Sequence, residues 1–564
     1  MKKTTSTFLL LLVSVMAVAI PAIKAPITIT QADGSTLEVR LIGDEHYHYY
    51  TTLDGTPLIM GANGMYREAT MLETIAMNER RAKRLNARNR VRAQRNTQNR
   101  ASIYTGKHKG LVILVNFNDK SMLTTSTWGT FHDMFNKEGY NKNNHIGSVR
   151  DYFLAQSYDQ LDIEFDVVGP YTLSKNMSYY GKNDADGYDS HPAEMVIEAV
   201  RMANPEVNYK DYDWDGNGEV DQVYVIFAGY SEAAGAPSNT IWPHEWDLES
   251  AKYGGDGTGA LYLDGVWINT YACSNELLGI TGNTINPIGT AVHEFSHCLG
   301  LPDMYDTEGN NFGMGCWSVL DQGCYNGPRS QGEVPASYTS YERMYAGWIK
   351  PTELKSAHSV RNMQTLADSQ EAYIIYNDAK RDEYYLLENH QKTGWDKYSY
   401  GHGMLIIHVD YDKDAWFYNV VNNTANHQRC TIIPADNQLS TGYIYANDLA
   451  GDPYPGTSGN TSLTDVTRPA AKLYNANSKG RKYMGKPIEY IREANGLISF
   501  NFMGGLPQTD VNQDGTTDTQ DVLQVWQYIQ GGKTPIGALP EDADNNGTVD
   551  TQDILAIYEG LSIQ

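Results

Sequence analysis

Residues 8–20, FLLLLVSVMAVAI, hold no charged position and follow Met1-Lys2-Lys3, the charged-then-apolar order of a secretory signal. The expected signal covers residues 1–20, with Ala17-Val18-Ala19 offering small residues for cleavage and Ala22 or Ala25 as substitutes. That run is short for a bilayer span and no later apolar segment approaches the required length, so no transmembrane anchor is expected. Between residues 26 and 70, apolar and polar positions alternate over short stretches. They break at Ala32-Asp33-Gly34, Leu53-Asp54-Gly55 and Ala62-Asn63-Gly64, which predicts a small β-rich unit. From Gly110 to about Lys350 the period itself alternates. Strand-like runs such as Leu111 to Phe117 and Val223 to Ala228 exchange with helical patterns such as Ala193 to Met202, as in an α/β or α+β domain. Residues 358–503 turn strand-dominated, with EAYIIY, EYYLLE, GMLIIHVD, RCTIIPAD and LISFNF between Gly, Asn and Asp turns. After Gly504-Gly505-Leu506-Pro507 come Asp-rich loops that lead into the helix patterns VLQVWQYIQ and ILAIYEG.

These boundaries divide the chain into a signal (1–20), a propeptide with a basic linker (21–104), a catalytic candidate (105–357), a β-sandwich-like unit (358–503) and a small helical calcium-loop module (508–564). The whole reads as α+β. At 564 residues the chain is long enough for several cores, so burial does not limit it.

The formal net charge of −24 repels phosphate backbones, and no nucleic-acid partner is expected. One segment opposes that sign: RRAKRLNARNRVRAQRNTQNR, from Arg80 to Arg100, reads either as a solvated helix face or as a protease-sensitive hinge after a propeptide. The five cysteines, Cys273, Cys298, Cys316, Cys324 and Cys430, are odd in number. Export permits disulfides, yet at least one thiol stays unpaired within the monomer.

The densest chemistry is AVHEFSHCLGLPDMYD, residues 291–306. His293 and His297 are four apart, so on a helix they share a face from which two imidazoles can grip one zinc ion. Glu294 is placed to take a proton from metal-bound water rather than to ligate. Gly300 stands where a helix can end and the chain turn back, which brings Asp303 toward the same metal as third ligand. Asp303 capping the next segment is the rival reading, and Asp306 is the nearby substitute ligand. No GxSxG elbow occurs, and Cys298 and His297, adjacent on one helix, point apart.

The stretch HEFSHCLGLPDMYD resembles the secreted zinc metallopeptidases of the immune inhibitor A family, whose motif reads HEFGHxLGLPDxYD. Further matching blocks are SVRDYF, DYDWDGNGEVDQVYVIFAGYSEAAG, IWPHEW, YERMYAGW, EYYLLENHQKTGWD and GHGMLIIHVD, so the likeness runs from about residue 26 to 503. It implies a zincin-like domain, endopeptidase action on protein substrates, His293 and His297 as zinc ligands, Glu294 as general base and, less directly, Asp303. Two positions depart from the pattern. Ser296 replaces a glycine, and Leu320 in GCWSVLDQG stands where the family has the methionine beneath the metal; leucine supplies similar apolar volume. Tyr325 is a candidate to polarise the scissile carbonyl. No cysteine precedes Cys273, so latency would need another ligand from GDEHYHYY: Asp44, Glu45, His46 or His48.

Calcium spacing occurs three times. Asp213, Asp215, Asn217, Glu219 and Asp221 present oxygens at alternating positions with a glycine at the sixth, although position twelve is Tyr224. In the tail, Asp510, Asn512, Asp514, Thr516, Asp518 and Asp521 recur 32 residues later as Asp542, Asp544, Asn546, Thr548, Asp550 and Asp553. The pair resembles a dockerin module, which implies bound Ca²⁺ and a cohesin-like partner on a scaffold or cell surface. Together these readings predict a secreted Zn²⁺ endopeptidase made as a zymogen and tethered by its tail. The alternative is a calcium-dependent surface adhesin or scaffold whose HExxH site is inert.

Overall fold

The computed structural model describes residues 22, 26–43, 48–61, 63–77, 104–184, 188–307, 311–424, 426–439, 446–505, 509–512, 516–531, 541–544 and 548–561. The signal at residues 1–20, the basic run Arg80–Arg100, and Asp44, Glu45, His46, Asp514 and Asn546 lie outside them.

The expected short strands form at Ile27–Thr30, Thr36–Gly43 and His48–Thr51, paired antiparallel in that order, with a hairpin of Leu58–Met60 and Tyr66–Glu68 beside them. Gly34, Gly55 and Gly64 all take positive φ at the three anticipated turns, a region open to glycine because it lacks a Cβ.

The central sheet runs in the order Leu161–Thr172, Gly106–Asn116, Val223–Phe227, Thr270–Asn275, His244–Asp247. Its first four strands are parallel, and His244–Asp247 closes one edge antiparallel to Thr270–Asn275. Every residue of Val223–Phe227 is buried, which explains why this strand is continuously apolar: helices and loops cover both of its faces. The helix Pro192–Ala203 presents Ala193, Val196, Ile197 and Val200 to the core, the spacing expected of one apolar stripe. The helix Ile288–Cys298 packs through Phe295 onto Phe153 and Phe165, edge to face at 5.5 and 5.3 Å.

Beyond residue 350, Thr352–Glu353, Tyr373–Tyr376, Glu383–His390, Gly403–Asp410 and Cys430–Ile432 form a five-stranded sheet. A three-stranded sheet of His358–Met363, Leu497–Phe502 and Ile488–Ala494 accompanies it. The sequence EYYLLENH does not alternate because both faces of its strand are covered. Tyr385 and Leu387 join Phe500 and Ile488 of the second sheet, while Tyr384 and Leu386 join the core that holds Phe295 and the central sheet. The late sheet is therefore packed onto the domain of the HExxH helix.

The tail helices Thr519–Ile529 and Thr551–Leu561 meet through Val525 and Ile557, with Val511 and Ala543 closing a small core of their own. Among the described residues no helix is long and apolar enough to cross a membrane. All five cysteines are buried, and none is joined to another by a disulfide in this structure.

Candidate metal centre

The helix Ile288–Cys298 is buried along nearly its whole length, His297 alone being partly exposed. Gly289 permits this fit, since a Cβ there would lie 1.9 Å from the Cys324 carbonyl oxygen. The helix ends where expected. Leu299 caps it, Gly300 follows at φ 80°, and the Gly300 N–H donates to the His297 carbonyl at 2.9 Å, reversing the chain toward Asp303.

Each histidine ring is held from behind by a backbone carbonyl. Nδ1 of His293 is 2.8 Å from Val319 O, and Nδ1 of His297 is 2.8 Å from Leu301 O. A carbonyl only accepts, so Nδ1 carries the hydrogen in both rings and a neutral imidazole then turns its Nε2 lone pair forward. The two Nε2 atoms are 3.3 Å apart, and each is 3.3 Å from Asp303 Oδ1. Three acceptors thus face one another in an equilateral triangle, at 0, 8 and 1 % side-chain exposure. Left alone they repel. A tetrahedral ion with ligand bonds of about 2.0–2.1 Å separates its ligands by about 3.3–3.4 Å, so the triangle is one face of such a tetrahedron and the residues present fit the metal.

Titration expresses the same demand for a cation. Burial disfavours a charged His297, but Asp303 outweighs it and raises the imidazole to about 10. Burial likewise opposes ionisation of Asp303, yet His297 and His293 hold it well below the usual carboxylate range.

Asp303 is thus brought to both histidines and does not cap the following segment. Asp306 is not brought there: its Oδ2 accepts from the backbone and side-chain N–H groups of Asn311, at 2.9 and 3.0 Å. Glu294 is fully buried, and its charge reaches His297 and Tyr325. Tyr325 lies on the turn Gln322–Tyr325, where burial foremost, then Cys324 and Glu294, push its hydroxyl far up. Leu320 is buried, and its carbonyl accepts from Met304 N, one residue past Asp303.

The latency expectation for His48 is corrected. Its Nε2 lies 2.9 Å from Glu232 Oε1 and its ring stacks on Trp242 at 4.6 Å, so it is committed there and not to the triangle.

The calcium expectations divide. Asp542, Asp544 and Asp553 converge to within 4.8 Å. Asp553 takes the N–H groups of Asp544 and Asp550 at 3.1 and 2.7 Å, and Asp521 takes those of Asn512 and Asp518 in the same way at 2.9 and 2.8 Å. Two loops 32 residues apart therefore share one hydrogen-bond scheme. Asp510, Thr516 and Thr548 belong to the described parts of the same loops. In the loop 213–221, oxygens are instead turned onto their own backbone: Asp213 accepts from Asn217 and Gly218, Asp215 from Asn217, Asn217 from Glu219, and Asp221 from Trp214. No three of those carboxylates converge as Asp542, Asp544 and Asp553 do.

Sequence reasoning missed Asn419, whose side chain pairs with Asp303 at 2.7 and 2.5 Å from 116 residues away. It also missed the Val319 and Leu301 carbonyls. Backbone acceptors leave no mark on residue type, and FYNVVNN has no motif spacing.

Residues 98–349 match the family described as immune inhibitor A peptidase M6, catalytic domain, and residues 508–561 match the dockerin type I domain. Among curated proteins the chain is similar to the pre-pro-metalloprotease PrtV of Vibrio cholerae serotype O1, 29% identical over 240 residues, 38% of this chain and 25% of that protein. It is also similar to immune inhibitor A of Bacillus thuringiensis subsp. alesti, 25% identical over 280 residues, 42% of this chain and 39% of the relative. The chain therefore spans well under half the length of these relatives.

Proposed function

From the premise that residues 98–349 are an M6-type metallopeptidase domain and residues 508–561 a dockerin domain, we propose that the protein is a secreted zinc endopeptidase made as a zymogen. Residues 1–20 are its signal, 21–104 its propeptide, 105–357 its zincin-like catalytic domain, 358–503 a β-sandwich-like unit and 508–564 its docking module. The observation that carries this reading is the 3.3 Å triangle of His293 Nε2, His297 Nε2 and Asp303 Oδ1. A zinc ion held there supplies Lewis acidity, lowering the pKa of water to about 7.

His293, His297 and Asp303 would hold the ion, their ligating atoms meeting at 3.3 Å. Glu294, one residue from His293, takes the proton of the attacking water and returns it to the leaving amine nitrogen of the peptide. Its burial excludes bulk water from that transfer. Substrates are proteins.

The tail loops Asp510–Asp521 and Asp542–Asp553 bind Ca²⁺, which orders the two helices for a cohesin-like partner. The loop from Asp213 to Asp221 takes a further Ca²⁺ after rearranging its oxygens.

The test is casein cleavage by the processed protein with and without o-phenanthroline, beside Glu294→Ala. Loss of cleavage on the order of 10²–10⁴-fold in the variant, with zinc retained, supports the reading. A folded wild type that never cleaves supports the adhesin alternative.

A further inference from the structure

Asn419 lies in the late β-sheet unit, between the short helix Lys413–Phe417 and the strand Cys430–Ile432, beyond residue 349 where the peptidase match ends. Its amide nitrogen donates to Asp303 Oδ2 at 2.5 Å, and its oxygen accepts the Asp303 backbone N–H at 2.7 Å. One flat amide thus grips both the backbone and the carboxylate of Asp303. The carboxylate plane is fixed, and Oδ1 is the oxygen aimed at His293 and His297. Asn419 is itself held at φ 55°, a left-handed conformation that asparagine tolerates better than most residues, and it is 6 % exposed.

The neighbouring residues tie down the rest of the same loop. Asn422 donates to Met304 O at 2.7 Å, and Asn423 both accepts from Thr307 N at 2.9 Å and donates to Thr307 Oγ1 at 2.6 Å.

We infer that Asn419 is a positioning residue of the metal centre, so that the late β-sheet unit completes a site whose ligands all lie in the M6-matching segment. This rests on the reading of the triangle as a zinc site. Ligating carboxylates are oriented by partners of this kind, and losing such a partner costs about 10–100-fold in metal affinity.

The test uses the full processed chain with zinc alone, by chelator competition, and with Co²⁺ by visible absorption. Asn419→Gly removes the side chain while keeping the backbone conformation accessible, and Asn419→Asp keeps the shape but replaces the donor with an oxygen. Both are expected to bind zinc about 10–100-fold more weakly and to shift the Co²⁺ ligand-field bands. Asn423→Ala, which loosens the same loop at Thr307, is expected to leave affinity and bands unchanged. Asn419 variants that match the wild type in affinity and spectrum overturn the positioning role alone. A wild type that takes up no zinc overturns the zinc site and this inference together.

Discussion

His293 Nε2 and His297 Nε2 lie 3.3 Å apart, each with its Nδ1 hydrogen committed to a backbone carbonyl behind it. Two lone pairs that close, shared with a carboxylate oxygen at the same distance, define where positive charge must sit. The chemical expectations of the chain follow from that arrangement.

Asp303 is predicted to be an indispensable ligand. Asp303→Ala removes one corner of the triangle, and because Asp306 is held by Asn311 no carboxylate replaces it. Zinc affinity should fall by more than the ~10–100-fold typical of losing an orienting partner, read by chelator competition. Asp306→Ala should retain wild-type affinity. The reverse ranking would move the third ligand to Asp306.

Gly300 ends the ligand helix at φ 80°, and a Cβ there would stand 3.2 Å from Tyr345 Oη and 3.4 Å from Tyr104 Oη. Gly300→Ala should cost about 1–3 kcal/mol through backbone strain, with crowding of two tyrosine hydroxyls added. Denaturant unfolding measures it, and an unchanged midpoint would contradict the account of the turn.

Asp452 is predicted to make stability fall as pH rises. Burial foremost pushes its carboxyl up to about 8, with Asp436 and Asp448 reinforcing and the Trp317 N–H opposing. An unfolded aspartate titrates near about 3.9. The native state therefore keeps a proton that the unfolded chain releases. The contribution is fully present below about pH 4 and is lost progressively as pH rises to about 8, on the order of a few kcal/mol in all. Asp452→Asn should flatten this slope in unfolding midpoints taken from pH 5 to 8. Parallel curves for the two proteins would contradict the assignment.

Calcium removal should act on the tail. Asp542, Asp544 and Asp553 converge without a counter-charge among themselves, and Trp526 is 52 % exposed on the first tail helix. EGTA should unwind both helices, lowering helical circular dichroism and shifting tryptophan emission, with Ca²⁺ restoring both. Signals indifferent to the chelator would argue for a tail that folds without the ion.

The parts legible in sequence are those in which a residue type has one physical use. The spacing of His293 and His297, Gly300 at the helix end and the recurrence of Asp510–Asp521 as Asp542–Asp553 each announce a geometry before any fold is known. The turns at Gly34, Gly55 and Gly64 were readable for the same reason. What stayed hidden depends on distant chain meeting locally unremarkable residues. Asn419 reaches Asp303 across 116 positions, and His48 pairs with Glu232 across 184. In the second case ligand type alone suggested the wrong partner: an imidazole that can bind metal can equally close an ion pair. The doubly covered strand Glu383–His390 reads as a strand in sequence, but only the fold shows that one of its faces belongs to the core of the metal-bearing domain.

The most direct measurement of the central claim is anomalous diffraction at the zinc absorption edge from crystals of the processed protein. One peak is predicted at about 2.0–2.2 Å from each of His293 Nε2, His297 Nε2 and Asp303 Oδ1. Histidine nitrogens that stay about 3.3 Å apart around no anomalous density, in crystals grown with excess zinc, would contradict it.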